Sequence, residues 1–302
     1  MWIKDIYHDE IRSGFLVTTD RKKVWEKEME ILAEFDRICK KHGLRYFADS
    51  GTLLGAVRHQ GFIPWDDDID VAMFRSDYET FKKIAAAELA PPYELQTPCN
   101  SEIILPLIKI RDGRTTAVEH TDFRHMNQGI FIDIVPLDAV WDGTPKGDRI
   151  ADIATDLWCT VVYAGGINLS EWRGRALDMG MVKKLLRLPA LERLETYETF
   201  QLEHFGATGR ISFLTSFANR IRGAYEKAWY TDTAEMSFEG FPMPVPAEYA
   251  KVLTEDFGDW YKFVRGTTLH EGIVFSADIP YQEYLGAVEH PKNGGYAEGS
   301  ET

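Results

Sequence analysis

The sequence predicts an α+β protein, a mixed sheet flanked by helices, with a mostly helical C-terminal half. Two observations predict it. Strand-like and helical stretches alternate in the first half in the order β, helix, β, helix, then several strands. Beyond Pro145 the texture changes, and residues 146–230 read mostly as helix.

The elements follow in order. Residues 1–20 read as an arm. From Arg21 to His42, Val24, Ile31, Phe35, Ile38 and His42 recur at spacings of three, four and seven, which predicts a helix closed by Gly43. Arg45–Asp49 reads as a short strand, and Leu53–Arg58 as one or two helical turns. A loop with Gly61 and Pro64 leads to a second strand, Asp66–Met73. Ser76 and Glu79 have the spacing of a capping box, so a helix is expected from Asp77 to about Leu89, ended by Pro91-Pro92. Ile103–Ile110, Thr115–Val118 and Gly129–Leu137 read as strands, with Pro106 marking an edge or a bulge. In the second half, Gly165-Gly166 and Gly206 are expected breaks. The Phe-, Gly- and Pro-rich Phe238–Pro246 precedes one more helix and a loop with Gly258. The Gly- and Glu-rich tail, 286–302, reads as disordered.

The composition excludes several classes of function. A net charge of −14 over 302 residues argues against a general affinity for nucleic acid. The basic runs Arg21-Lys22-Lys23 and Lys183-Lys184 read as solvated helix faces. Cys39, Cys99 and Cys159 are odd in number and include no C-x-x-C pair, so neither a disulfide framework nor a zinc knuckle is expected. Cys39 falls at a helical core spacing. No apolar run approaches the roughly 18 residues a membrane span needs, and the chain reads as cytoplasmic.

The chemistry concentrates in carboxylates. Asp68 and Asp70, two apart on a strand, share a face with Cα atoms about 7 Å apart, and Asp66 joins them if the strand starts early. Ile69, Val71 and Met73 take the core face. Bare carboxylates in a row repel and raise one another's pKa, and a bound Mg²⁺ or Mn²⁺ removes that cost. The plain alternative is a solvated acidic turn after Pro64-Trp65. Asp133 lies inside the apolar Ile130–Val135, where an ionised carboxylate needs a cation or an arginine such as Arg111. If it meets Asp68 and Asp70, the three would make a two-metal site for in-line phosphoryl chemistry. Gly51-Thr52, between a strand and a helix start, exposes backbone N–H groups suited to phosphate. Arg58, Lys109 and Arg111 are candidate phosphate partners.

The run Asp49-Ser50-Gly51-Thr52-Leu53-Leu54-Gly55-Ala56-Val57-Arg58-His59-Gln60-Gly61-Phe62-Ile63-Pro64-Trp65-Asp66-Asp67-Asp68-Ile69-Asp70 closely resembles the LicD family signature, and the resemblance continues through Gly129–Asp138. It reappears more weakly at Phe238-Glu239-Gly240, Pro246–Leu253 and Phe257-Gly258-Asp259, and spans most of residues 25–270. It implies a nucleotidyltransferase-type catalytic core at 21–145, with a family-specific helical region at 146–285 packed on it. It implies metal ligation by Asp66, Asp68, Asp70 and Asp133, with two Mg²⁺ ions (or Mn²⁺). Ser50, Gly51, Thr52, Gly55, Arg58, Lys109 and Arg111 are then the expected donor phosphate and nucleotide contacts. Sixteen positions separate Thr52 from Asp68, more than in many polymerase-like relatives, and the resemblance assigns that loop to donor or acceptor architecture.

The implied reaction moves phosphocholine or a polyol phosphate from a CDP-alcohol, such as CDP-choline, to a sugar hydroxyl of a glycan or glycolipid, releasing CMP. Lipopolysaccharide and teichoic acid are implied acceptors, reached by peripheral contact with the membrane. Asp68, Asp70 and Asp133 would carry catalysis, with Asp133 as metal ligand or general base. Trp65, beside the acids, would cage a trimethylammonium or anchor a core. His270, in a segment that fits the family poorly, is a candidate substrate contact. Two other readings stand beside this one: transfer of NMP with release of pyrophosphate, and a catalytically silent nucleotide-binding protein.

Overall fold

The computed structural model describes residues 1–162, 176–218, 222–266, 270 and 272–289. The expected arm is a built element. β1 (Glu10–Arg12) and β2 (Phe15–Val17) form an antiparallel hairpin, and Ile3 and Val17 are buried in the core. Helix α1 (Thr19–His42) begins where Thr18 Oγ1 accepts from the Arg21 N–H and ends at Gly43, with φ 65°. Val24, Ile31, Phe35 and Ile38 are buried as the periodicity predicts, and so is Cys39. His42 is not on that face; it contacts Glu88 at 2.9 Å on the exposed side. Lys22 overturns the solvated reading of its basic run. It is buried, and its ammonium donates to the carbonyls of Asp5 and His8, which tie the N-terminal segment to α1.

β3 (Phe47–Ala48) leads into α2 (Ser50–Arg58), so Ser50, Gly51 and Thr52 are the first turn of that helix rather than a loop before it. β4 (Asp70–Phe74) is shorter than the expected Asp66–Met73. Its neighbour β3 supplies only two pairing residues, opposite Val71 and Ala72, and Asp66–Ile69 runs on as irregular chain. α3 (Arg75–Glu88) starts before the expected capping box and has no side-chain cap. Arg75 is buried instead, donating twice to Asp138 at 2.7 Å and once to Glu79 at 2.9 Å. β5 (Tyr93–Gln96), unforeseen, pairs with β6 (Ile108–Asp112). The strand expected from Ile103 therefore begins five residues later. β7 (Thr116–Val118) precedes β8 (Ile130–Ala139).

The long β8 organises the sheet. It runs parallel to β4, its first half pairs antiparallel with β6, and its end pairs with a strand from the second half of the chain. Its apolar residues are buried on both faces, as expected of a central strand.

The second half contributes helices α4 (Pro145–Val162), α5 (Met179–Leu185), α6 (Ala190–His204) and α7 (Leu214–Ala218). Two short strands, one before and one after α7, depart from the helical reading. β9 (Arg210–Ser212) pairs with β8 and β10 (Tyr225–Glu226) pairs with β9, completing seven strands in the order β10-β9-β8-β4-β3, with β6 and β5 off the first half of β8. Phe238–Pro246 belongs to a hairpin, β11 (Thr233–Phe238) and β12 (Phe241–Pro246), turned at Glu239-Gly240. The expected later helix is α8 (Tyr249–Phe257). β13 (Val274–Ser276) pairs with β7, and α9 (Tyr281–Glu289) takes the first residues of the expected tail. The rest of that tail and the Gly165-Gly166 break lie outside the described residues. A large apolar core surrounds α1 and the sheet, and a smaller one lies among α4, α5 and α6. Among the described residues, no helix is long and apolar enough to cross a membrane.

Candidate active site

The register of β4 on β8 places Asp70 beside Asp133, and the register of β6 on β8 places Lys109 on the other side of Asp133. Neighbours in register share a sheet face at about 4.8 Å, so two carboxylates and an ammonium form one row. Lys109 Nζ lies 3.1 Å from Asp133 Oδ1 and donates to Oδ2 at 3.4 Å. Asp66 and Asp68 reach the row from irregular chain, not from a strand. That chain is pinned from α1: Arg21 and Trp25 both donate to the Asp66 carbonyl, at 2.7 and 3.1 Å. Asp66, Asp68 and Asp70 line a cavity of about 720 Å³ together with Ser50, Gly51 and Arg222.

The acids are held in a costly state. Burial, with the nearby charges of Asp70 and Asp67, pushes Asp66 up to about 6 even though its hydrogen bond with Asp68 works the other way. Burial and repulsion from Asp66 and Asp133 raise Asp68 well above the ordinary range. Burial and repulsion from Asp68 and Asp133 do the same to Asp70, partly offset by Arg222. Glu28 on α1 is raised by burial and by Asp68, Asp67 and Asp66, and its Oε2 is buried without a hydrogen bond.

A divalent cation fits this donor set. The ligands on offer are carboxylate oxygens, which hard cations prefer. Asp133 Oδ1 is buried without a hydrogen bond, because the nearby ammonium does not meet it with hydrogen-bond geometry. Such an orphaned oxygen beside Asp70 is one that a cation would satisfy. Asp67, Asp68 and His270 make a second grouping, with ligand atoms within 4.8 Å of one another. His270 Nδ1 lies 3.0 Å from Asp67 Oδ1 and 3.9 Å from Asp68 Oδ2. Burial opposes the imidazolium, but the Asp67 hydrogen bond and the two aspartate charges outweigh it and push His270 up to about 9.

The other expected residues divide. Ser50, Gly51, Arg58 and Trp65 line the cavity. Gly51 allows a close approach, since a Cβ there would lie 2.4 Å from Asp66 Oδ2. Thr52 is buried, and its Oγ1 accepts from the Asp70 N–H at 2.9 Å, so its hydroxyl sets the start of β4. Gly55 serves packing: a Cβ would lie 2.5 Å from the Gly61 carbonyl oxygen. Arg58 donates to the carbonyls of Trp260 and Lys262 and lies over Phe263. Lys109 faces Asp133 and stacks on Phe131. Arg111 is fully buried away from the cavity, bonded to Gln96, Glu119 and the Gly129 carbonyl. It is neither the partner of Asp133 nor within the cavity wall. Trp65 packs against Phe15, His59 and Phe263.

Sequence reasoning missed Arg222, Asp49, Asp67, Asp256 and Glu28. Asp256 lines the cavity, bonds the Tyr225 hydroxyl and is pushed up to about 6 by burial. Glu28 carried a signal, as an acid on the apolar stripe of α1 four residues after Val24 and three before Ile31. Arg222 carried none, because it lies 173 positions from its partner Asp49.

Comparison with known proteins gives this geometry a family. The profile described as "LicD/FKTN/FKRP, nucleotidyltransferase domain" matches residues 43–147, which hold the acid row and α2. The lipopolysaccharide cholinephosphotransferase LicD of Haemophilus influenzae is 27% identical over 244 residues, covering 78% of this chain and 88% of that protein. The human ribitol 5-phosphate transferase FKRP is 41% identical over 46 residues, 15% of this chain and 9% of that protein. An uncharacterised protein of Rickettsia typhi, RT0683, is 42% identical over 55 residues, 18% of each chain. Residues 43–147 thus carry a LicD-type nucleotidyltransferase domain, and most of the chain is similar to LicD.

Proposed function

We propose that the protein is a metal-dependent transferase that moves a phosphorylated alcohol from a CDP-alcohol onto a sugar hydroxyl of a glycan, releasing CMP. The observation that carries this reading is the meeting of Asp66, Asp68 and Asp70 with the N-terminal turn of α2 on one cavity. Helix N-termini favour anions, and the acid row favours cations, so a metal-bound diphosphate suits the space between them. Mg²⁺ held by Asp66, Asp68, Asp70 and Asp133 would neutralise the diphosphate and acidify the attacking hydroxyl. Lys109 holds the Asp133 carboxylate in line, and Thr52 holds the Asp70 backbone. Arg21 and Trp25 keep Asp66 turned toward the row.

Phosphocholine is the first group to test. The relative with the long match is a cholinephosphotransferase, and Trp65 and Trp260 line the cavity, where indole faces suit a trimethylammonium. The test incubates the protein and Mg²⁺ with CDP-choline, CDP-ribitol or CDP-glycerol and a glycan acceptor, and separates the products. CMP release with a phosphodiester on the acceptor supports the reading. Pyrophosphate release from a nucleoside triphosphate would replace it with nucleotidyl transfer. The absence of any turnover or donor binding would remove it.

A further inference from the structure

We infer that Arg222 is the phosphate-binding cation of this cavity, and that Asp49 is the residue that positions it. The inference takes its ligand, a nucleoside diphosphate, from the proposed phosphoalcohol transfer.

The argument begins at the start of α2. Asp49 occupies the N-cap position, where an aspartate ordinarily accepts from the second or third N–H of its helix. Here its carboxylate makes no cap hydrogen bond. It accepts instead from Arg222 Nη1 at 2.5 Å, while Arg222 Nη2 donates to Ser50 Oγ. The first turn of α2 is left uncapped by its own sequence, and its Ser50 and Gly51 face the cavity. The same two residues that define the helix start hold the guanidinium against that wall.

Burial and charge make the arrangement specific. The Arg222 side chain is 11% exposed and that of Asp49 is 2% exposed. A buried ion pair serves stability poorly, since taking both charges out of water costs about as much as their attraction returns. A functional reason fits better. A guanidinium has five N–H donors in a planar fork, and the contacts with Asp49 and Ser50 occupy two of them. Arg222 also stands close enough to Asp70 to offset the repulsion on that acid. The guanidinium thus lies between the helix N-terminus and the metal-binding row, where a diphosphate bound to both would place an oxygen.

Among the described residues, the other candidate cations are committed elsewhere. Arg58 is tied to two carbonyls, Lys109 to Asp133, and Arg111 to a buried network outside the cavity. Lys262 lines the cavity but is 75% exposed and paired with Asp259. None of them adjoins α2's first turn as Arg222 does.

The test is calorimetric titration of the whole protein, in Mg²⁺, with pyrophosphate, CDP and cytidine. Arg222→Gln should weaken pyrophosphate and CDP on the order of 10- to 100-fold, the scale of a lost charged hydrogen bond, and leave cytidine unchanged. Asp49→Asn keeps the guanidinium but loosens its tether, and should weaken pyrophosphate by a smaller factor. Arg222→Lys should recover part of the loss, because an ammonium keeps the charge without the fork. Should Arg222→Gln fail to fold, Asp49→Asn/Arg222→Gln removes both buried charges and takes its place. A folded variant lacking the arginine that binds pyrophosphate as tightly as wild type overturns the inference. A wild type that binds pyrophosphate through Arg222 but neither binds nor cleaves any CDP-alcohol would leave the phosphate site standing and sink the donor reading alone.

Discussion

Replacing Gly51 with alanine adds one methyl group where α2 faces the acid row. That carbon would lie 2.4 Å from Asp66 Oδ2 and 3.5 Å from Asp66 Cγ, whereas ordinary contacts begin near 3.4 Å. The Asp66 carboxylate must therefore retreat by about 1 Å, because close-packed surroundings do not absorb such an overlap. Its backbone cannot follow easily, since Arg21 and Trp25 hold the carbonyl. Stability should hardly change: alanine in place of a helical glycine gains up to about 1 kcal/mol, which offsets much of the local crowding. Catalytic geometry is less forgiving, and a displacement of about 1 Å can cost on the order of 100-fold in rate. The expected result is a near-normal melting curve, a higher Mg²⁺ requirement and CMP release reduced by about two orders of magnitude. Circular dichroism melts and a Mg²⁺ titration of turnover measure both halves. Wild-type turnover at the wild-type Mg²⁺ requirement would refute the role given to Asp66.

Four further outcomes follow. Asp70→Asn removes one of several crowded carboxylates whose folded-state pKa is raised; such groups favour the folded state at low pH and lose that contribution as pH rises. Its metal-free melting temperature at neutral pH should equal or exceed wild type, Mg²⁺ should stabilise it less, and turnover should fall at least about 10–100-fold; unchanged Mg²⁺ stabilisation would remove Asp70 from the site. Thr52→Val leaves the Asp70 N–H without its acceptor and should cost about 1–3 kcal/mol in urea unfolding, and no loss would show that the hydroxyl is dispensable. Arg75→Ala strands the fully buried Asp138 and should cost about 3–5 kcal/mol; a loss below about 1 kcal/mol, the scale of surface pairs, would contradict the buried-network reading. For His270, folding raises the pKa from 6.5 to about 9, so its contact with Asp67 stabilises fully below pH 6.5 and is lost as pH rises through 9. In EDTA the stability gap between wild type and His270→Gln should be widest below pH 6.5 and close above 9, and a gap independent of pH would refute it.

Local pattern made much of this protein legible. The period of α1 marks its buried face, because a helix turns the same side to the core every three or four residues. The apolar residues alternating with Asp68 and Asp70 showed where the acids could be presented, and Ile69, Val71 and Met73 are indeed buried. Asp133 announced itself by standing in an apolar run, where a charge needs a partner. Which partner was not legible. Lys109 faces Asp133 because β6 pairs with β8 in one register; a slip of one residue would have turned that side chain to the opposite face of the sheet. The extent of β4 was likewise decided outside it, by its pairing with β8, which spans Asp70–Phe74. The short β9 and β10 have too few residues to show a period, and they exist because the end of β8 gives them an edge. Arg222 reaches Asp49 across 173 positions, and no spacing along a chain encodes such a meeting. Sequence determined which residues favour a helix, a strand or an anion, because those preferences are local. The fold alone decided which charges share a cavity, because that depends on how distant segments pack.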